Sequence, residues 1–237
     1  MVANVLSARE SSLFTGQTTL DLTGVDTTER QRVAFDHSAD FGEGFLRRGK
    51  WSVYAQDSNT RQFSSETRIP GPSRTRDNSF DTSVVGASGQ IEASAATGAI
   101  DHALLLGADW SKTETATLRD GTVPPFGETF PSRASPVTDY ALTGVFVQDQ
   151  ISLLDGQLLI YPGLRYDAYE LRPKRDDLYP ANFPAEPSEG DRLSPRLGVV
   201  AWPTDQFGVF ANYAEGFKSP APGQINEGFE NLLFGYT

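Results

Sequence analysis

Two histidines, His37 and His102, are the only imidazoles of this sequence, and it contains no cysteine. A hydrolase would need a histidine beside a serine, a carboxylate or a bound metal, and thiol chemistry would need cysteine. Each histidine stands next to a short predicted turn, away from any such partner set. The sequence also lacks a phosphate-binding loop, a dinucleotide fingerprint and a His-Glu-x-x-His run. We therefore expect neither an enzyme nor a metal site.

Arginine and carboxylate side chains offer a second kind of chemistry, ion pairing inside a protein. Arg165 and Asp167 are two residues apart, so a strand would place both on one face. Arg196, on a later predicted strand, is expected on the same side of the sheet. We expect these three charges to line the interior, where they would contact another domain. Their role is interpreted as mainly structural.

The elements that hold these charges are predicted to be long strands. Asp155-Gly156 favours a tight hairpin because it supplies the positive φ that such turns require, which predicts strands over 140–153 and 157–169. The second strand alternates with a period of two, with apolar Leu158, Ile160, Leu164 and Tyr166 on one face and Gly163, Arg165 and Asp167 on the other. Strands with one face for lipid and one for a polar lumen are typical of a membrane β-barrel.

The same alternation recurs on both sides of this hairpin. Further strands are predicted over 27–39, 45–67, 78–95, 100–117, 191–202 and 206–216. They bring the strand number to about eight to ten. Short turns join the strands at one end, and longer loops over 68–77, 118–139 and 171–191 join them at the other. This pattern predicts an all-β, antiparallel transmembrane barrel with short periplasmic turns and long extracellular loops.

The composition agrees with a barrel and argues against other classes. Only 38% of the residues are hydrophobic, yet there are 15 Phe, 8 Tyr, 3 Trp and 22 Gly, which suits strands that are apolar on one face. The net charge of −11 argues against nucleic acid as a partner. No apolar run is long enough for a transmembrane helix, and the first residues do not form a signal peptide. A soluble β-sandwich or solenoid is the alternative fold.

Several segments, in chain order, resemble strands of the TonB-dependent outer-membrane receptors. Residues 145–151 (Val-Phe-Val-Gln-Asp-Gln-Ile) are similar to the family's FVQDE-I strand, and 162–167 (Pro-Gly-Leu-Arg-Tyr-Asp) to its PGLRYD strand. Residues 193–198 (Leu-Ser-Pro-Arg-Leu-Gly) match its SPRLG strand start. Residues 213–220 (Tyr-Ala-Glu-Gly-Phe-Lys-Ser-Pro) match its Y-GFRAP box, with Lys and Ser in place of Arg and Ala.

The resemblance implies an integral barrel of the Gram-negative outer membrane, in contact with its lipid, whose full form has about 22 strands. Residues 1–237 would then be a partial barrel domain, without the plug domain and the C-terminal strands. We expect such a slice not to close into a barrel by itself. The resemblance also implies TonB as a partner, engaged through the missing plug, and outer loops that capture the ligand.

Within the family, the motifs look most like the haem and haemoglobin receptor branch, which implies haem as a transported ligand rather than a bound cofactor. No histidine lies between residues 220 and 237. A ferric-siderophore or other nutrient receptor therefore stays open, as does a passive porin or adhesin barrel. The ligand-binding candidates are the FRAP-like box and the loop after it: Phe217, Lys218, Ser219, Pro220 and Tyr236, with Tyr179 a weaker one.

Overall fold

The computed structural model describes residues 2–8, 11–12, 17–125 and 127–226. These residues form one antiparallel sheet of ten strands, in which neighbours along the chain pair with one another, apart from β2, a short strand that pairs on β3. The strands are β1 Val2–Ala8, β2 Ser11–Ser12, β3 Gln17–Asp40, β4 Leu46–Ile69, β5 Arg74–Thr97, β6 Ile100–Gly121, β7 Val137–Leu153, β8 Leu158–Lys174, β9 Ser188–Thr204 and β10 Phe207–Ala214. The predicted all-β fold is confirmed.

The pairing path runs from β1 to β10, and no pairing in the described part of the chain joins its two ends. The sheet therefore stays open, as expected of a partial barrel. We call this ten-stranded sheet the wall. The remaining regular structure in the described ranges is a 3-10 turn at Leu154–Gly156 and the short helix α1, Pro222–Ile225. Among the described residues, no helix has the length and apolar character that a membrane crossing requires.

One face of the sheet is apolar, and we call it the apolar face. Ile91, Leu106, Val147 and Leu164 lie opposite one another across β5, β6, β7 and β8. Ile91, Leu106, Val147 and Leu164 are all exposed to solvent in the isolated chain. Large apolar side chains left exposed in one continuous patch mark a surface that meets something other than water.

The apolar face ends part of the way along the strands. On β6, Lys112 and Glu114 follow Trp110 on the same face. Lys174 Nζ lies 2.7 Å from both Glu114 Oε2 and Asp139 Oδ1. A tilted strand needs about 9–11 residues to cross a bilayer, whereas β3, β4 and β5 have 24 residues each. Roughly half of each long strand therefore rises beyond the apolar band.

Most predicted connections are present, but the three predicted long loops are corrected. Short turns join β3 to β4, β5 to β6, β7 to β8 and β9 to β10, and Asp155 and Gly156 adopt the predicted positive φ of 54° and 87°. The predicted long loop 68–77 is wrong, since only residues 70–73 separate β4 from β5. The loops at 122–136 and 175–187 are also shorter than predicted. Beyond the apolar band both faces of the sheet meet water, so polar residues can occupy both faces of a strand. The strands therefore continue into segments whose polar composition predicted loops.

Most of the buried side chains lie at the loop end of the sheet. The loops at 122–136 and 175–187 and the segment 215–226, together called the loop cluster, fold against the polar face of the sheet, where the loop at 122–136 contacts β6 and the segment 215–226 contacts β7 and β8. Leu171 is fully buried there and Tyr179 is 3% exposed. Thr138, Pro136 and Asn226 are buried in the same region. The remainder of the wall has little core of its own.

Candidate functional site

Arg165 and Asp167 lie together on the polar face, where they form an ion-paired cluster with Asp109. Arg165 Nη2 is 2.9 Å from Asp109 Oδ1, and Arg165 Nε is 2.7 Å from Asp167 Oδ1. Asp109 comes from β6, so the cluster links strands that are not adjacent in the sheet. It passes over Gly144 of the intervening strand, where a Cβ would collide with the guanidinium. Arg165 and Asp167 share one face of β8, as the period of two predicts, whereas Asp109 and the glycine that makes room were not among the predicted residues.

Arg196 also lies on the polar face, opposite Gly163. Its side chain runs flat across that glycine, where an added Cβ would be 2.5 Å from Nε. Within the described ranges, Arg196 forms no ion pair. Arg196 lines a hollow of about 720 Å³ with Arg165, Phe146 and Phe217. The buried Ser194 hydroxyl, which also borders this hollow, has no hydrogen-bond partner among the described residues.

Large side chains on the polar face repeatedly lie across a glycine of the neighbouring strand. The ring of Tyr54 covers Gly86, and the ring of Phe146 covers Gly107. Tyr169 covers Gly190 in the same way. Aromatic rings laid over strand glycines hold the register and fill the missing side-chain volume. They also keep bulky groups flat on the wall, which leaves the space in front of it free.

We expect Gly86→Val to destabilise the intact barrel by about 1–3 kcal/mol, the usual cost of overpacking. A Cβ at residue 86 would lie 2.5 Å from the Tyr54 ring, and that ring is itself covered by the Arg32 guanidinium at 4.4 Å. Denaturant unfolding in lipid vesicles measures the loss. In a Tyr54→Ala background the same substitution should cost much less. Equal costs in both backgrounds would show that ring and glycine are not coupled.

The FRAP-like box packs onto the polar face of β7 and β8. The Phe217 ring centroid is 6.1 Å from that of Tyr169, and Tyr169 is 6.3 Å from Tyr140. Ser219 and Tyr140 share a hydrogen bond between their hydroxyl groups. Lys218 points to solvent, and Pro220 is half-buried. The box therefore ties the chain after β10 to the polar face of the sheet, while the Lys218 side chain stays exposed. Tyr236 lies outside the described residues.

Paired hydrogen bonds fasten the segment 215–226 to the loop at 175–187. The buried Asn226 side chain accepts from Glu186 N at 2.8 Å and donates to the Glu186 carbonyl at 2.9 Å. Arg133 of the other loop reaches Asp176 at 2.6 Å. Tyr179 donates its hydroxyl to the Pro184 carbonyl at 2.7 Å. Burial raises the pKa of Tyr179, so this buried phenol is poorly suited to bind iron as a phenolate.

Both histidines lie near the short turns, at the opposite end from the loop cluster. His102 Nδ1 is 2.7 Å from Asp149 Oδ2, and this pair sits on the apolar face close to the β5–β6 turn. His37 stacks near Trp51, with ring centroids 5.9 Å apart. In the described part of the chain, no three histidine, aspartate or glutamate side chains come together as a metal site.

An apolar outer face, a polar inner face and long strands with loops at one end define an outer-membrane β-barrel wall. A family model described as TonB dependent receptor-like, beta-barrel, matches residues 4–236. The chain therefore belongs to the TonB-dependent receptor β-barrel family, whose members are transport receptors of the outer membrane. No curated protein matches the chain in sequence.

The chain resembles solved structures of receptors and transporters. The hemophore receptor HasR of Serratia marcescens, solved in complex with its hemophore HasA and heme, is 16% identical with a TM-score of 0.67, covering 98% of this chain and 38% of HasR. The ferric citrate transporter FecA is 18% identical with a TM-score of 0.48, covering 83% and 36%. BauA, the ferric preacinetobactin receptor of Acinetobacter baumannii, is 14% identical with a TM-score of 0.49, covering 81% and 30%. The likeness to HasR shows the fold alone, and the chain spans well under half the length of each of these proteins.

Proposed function

We propose that this chain is part of a receptor that takes up haem, or haem iron from host proteins, with energy supplied through TonB. A plug domain, outside residues 1–237, would fill the lumen in front of the polar face and engage TonB. The loop cluster would hold the ligand at the outer surface. Haem would be the transported ligand, and no bond in it need be broken by the barrel.

The observation that carries the proposal is the FRAP-like box, 217–220, anchored on Tyr140 and Tyr169. The box lies against the polar face at the loop end, and its Lys218 side chain is exposed there. A cation there suits the carboxylates of haem. The flat polar wall below it leaves a path for a plug and for a ligand in transit.

Haem titration of the intact, detergent-solubilised receptor tests the ligand. We expect a saturable shift of the Soret band and growth of the parent bacterium on haem as sole iron source. Growth, but not haem binding, should be lost when TonB is deleted. A receptor that shows no Soret shift yet imports ferric siderophores normally would contradict haem. Uptake that persists without TonB would instead indicate a passive barrel.

A ferric-siderophore receptor is the second candidate, and the position of the histidines favours it. Both His37 and His102 lie by the short turns, so neither reaches a ligand bound at the loop end. The same titration with ferric siderophores, followed by quenching of intrinsic tryptophan fluorescence, separates the two candidates.

A further inference from the structure

A groove runs across the apolar face from β3 to β9, with a volume of about 850 Å³. Its floor includes Gly89 of β5 and Ala108 of β6, which lie opposite each other in the sheet. Trp51 of β4 lies beside Gly89, and Val145 of β7 lies beside Ala108. All four residues line the groove, so its low centre lies between two larger side chains.

The space above Gly89 is left open by the fold. Gly49 and Gly107 also line the groove, and each is covered by a ring. A Cβ on Gly107 would lie 2.5 Å from the Phe146 ring, and a Cβ on Gly49 would lie 3.2 Å from the Phe41 ring. A Cβ on Gly89 would meet no atom closer than 3.8 Å. No neighbouring side chain in the described ranges therefore fills the recess over Gly89.

A recess in an apolar surface has a physical cost, because the atoms that line it lose the dispersion contacts that a partner would supply. The chain belongs to a family of outer-membrane barrels, so its apolar face meets lipid and not water. The groove is continuous with that lipid-facing surface. A hydrocarbon chain is therefore the partner that reaches the recess and restores the lost contacts.

The groove crosses the apolar face diagonally. At one end it is lined by His37, close to the turn-side end of β3 at Asp40. At the other end it is lined by Leu193, close to the loop-side start of β9 at Ser188. Turns and loops lie at opposite surfaces of the membrane, so the groove extends from one edge of the apolar band toward the other. Lipid chains run in this direction in a bilayer.

Two polar rings stand at the turn-side end of the groove. The ring centroids of His37 and Trp51 are 5.9 Å apart, and both side chains are exposed. Neither ring forms a hydrogen bond with another residue in the described part of the chain. Rings of this kind at a membrane surface keep an apolar body in the lipid and direct a polar edge toward the headgroups. The His37 imidazole can therefore donate a hydrogen bond to a phosphate or ester oxygen.

We propose that the groove is a lipid-binding site that holds one acyl chain of a phospholipid, with the headgroup beside His37 on the short-turn side of the membrane. The chain fills the recess over Gly89 and packs against Trp51, Leu106 and Val145. It touches protein on the floor and on both sides of the groove, whereas a chain elsewhere on the apolar face meets only protruding side chains. The site does not depend on which ligand the receptor imports.

Native mass spectrometry of the intact receptor, extracted from membranes in a mild detergent, tests the site by counting the lipids that stay bound. We expect wild type to retain one phospholipid. Gly89→Leu fills the recess and should lower the lipid-bound fraction roughly tenfold, the effect expected from losing about ten dispersion contacts between carbon atoms. Ala108→Leu fills the same recess from β6 and should reproduce this loss. His37→Leu should lower the bound fraction several-fold, because the hydrogen bond to the headgroup is lost.

Ala95→Leu is the matched control. Ala95 lies on the same strand and the same face as Gly89, is exposed, and does not line the groove. This variant adds a leucine to the apolar face outside the groove, so it should retain lipid as wild type does. Gly89→Leu should resist heat as wild type does, because the added Cβ meets no atom closer than 3.8 Å. A loss of lipid in that variant would then not reflect unfolding.

Several outcomes would overturn the lipid site. A wild-type receptor that retains no phospholipid, or only detergent, would do so. Wild-type lipid content in both Gly89→Leu and Ala108→Leu, or an equal loss of lipid in Ala95→Leu, would also contradict it. A receptor found as a dimer that Gly89→Leu dissociates would show that the groove receives a second copy of the chain instead. None of these results involves haem, so the lipid site and the haem proposal can fail separately.

Discussion

Replacing Leu106 with arginine should lower the free energy of unfolding of the intact barrel by about 2–4 kcal/mol, the cost of a cation facing lipid near the bilayer midplane. Leu106 is 47% exposed on the apolar face. It lies opposite Ile91 on one side and Val147 on the other. An arginine there would have only apolar neighbours and hydrocarbon around its charge.

Leu105, the preceding residue of β6, is the matched control. It points to the polar face, opposite Glu92 of β5 and Gln148 of β7. Leu105→Arg places the same side chain beside a carboxylate and a lumen amide, so it should cost far less. Urea unfolding of both variants in lipid vesicles gives the two values. Equal losses would mean that the two faces of this sheet are assigned wrongly.

The two-faced character of the sheet was predictable because it is local. On β8, the alternation of Leu164 and Tyr166 with Arg165 and Asp167 is visible in the sequence, and a period of two admits only one assignment of faces. The β7–β8 turn was predictable for the same reason, since Asp155-Gly156 carries its own conformational preference.

Strand ends and cross-strand groups were not predictable in this way. Above the apolar band both faces meet water, so the period of two fades and the stretch around 70–73 resembles a long loop. The Asp109–Arg165 ion pair and the rings over glycine both depend on register between strands. Register is set by many pairings along 17 to 24 residues, and no single motif encodes it.

The FRAP-like box is recognisable from its own residues, but its contacts depend on the fold. Its residue types indicate a functional segment. Its contact with β7, however, joins Ser219 to Tyr140, which lies 79 positions earlier in the chain. Phe217 and Ser219 fix the segment to the polar face of the sheet, which leaves Lys218 as the exposed member of the box. A motif identified for function thus divides into anchoring residues and one exposed charge.

Leu171 lies buried under the loop cluster. We expect Leu171→Ala to destabilise the loop cluster by about 2–5 kcal/mol, the range for a buried leucine whose loss leaves a cavity. Leu171 is fully buried beside Tyr140 in the sheet, under loops that have few other apolar anchors. The loops at 122–136 and 175–187 should then open more often, and the FRAP-like box should lose its fixed position.

Limited proteolysis and hydrogen exchange of the intact receptor measure this loosening. Leu171→Ala should speed cleavage and exchange in both loops and weaken ligand binding, while the membrane-crossing part of the barrel keeps its resistance to denaturant. Leu164→Ala is the control on the same strand, because Leu164 is 40% exposed on the apolar face and its truncation opens no cavity. If Leu171→Ala leaves loop cleavage and exchange at the wild-type rate, the loops are held by their hydrogen bonds alone, through Asn226 and Arg133, and the buried leucine does not anchor the ligand-facing surface.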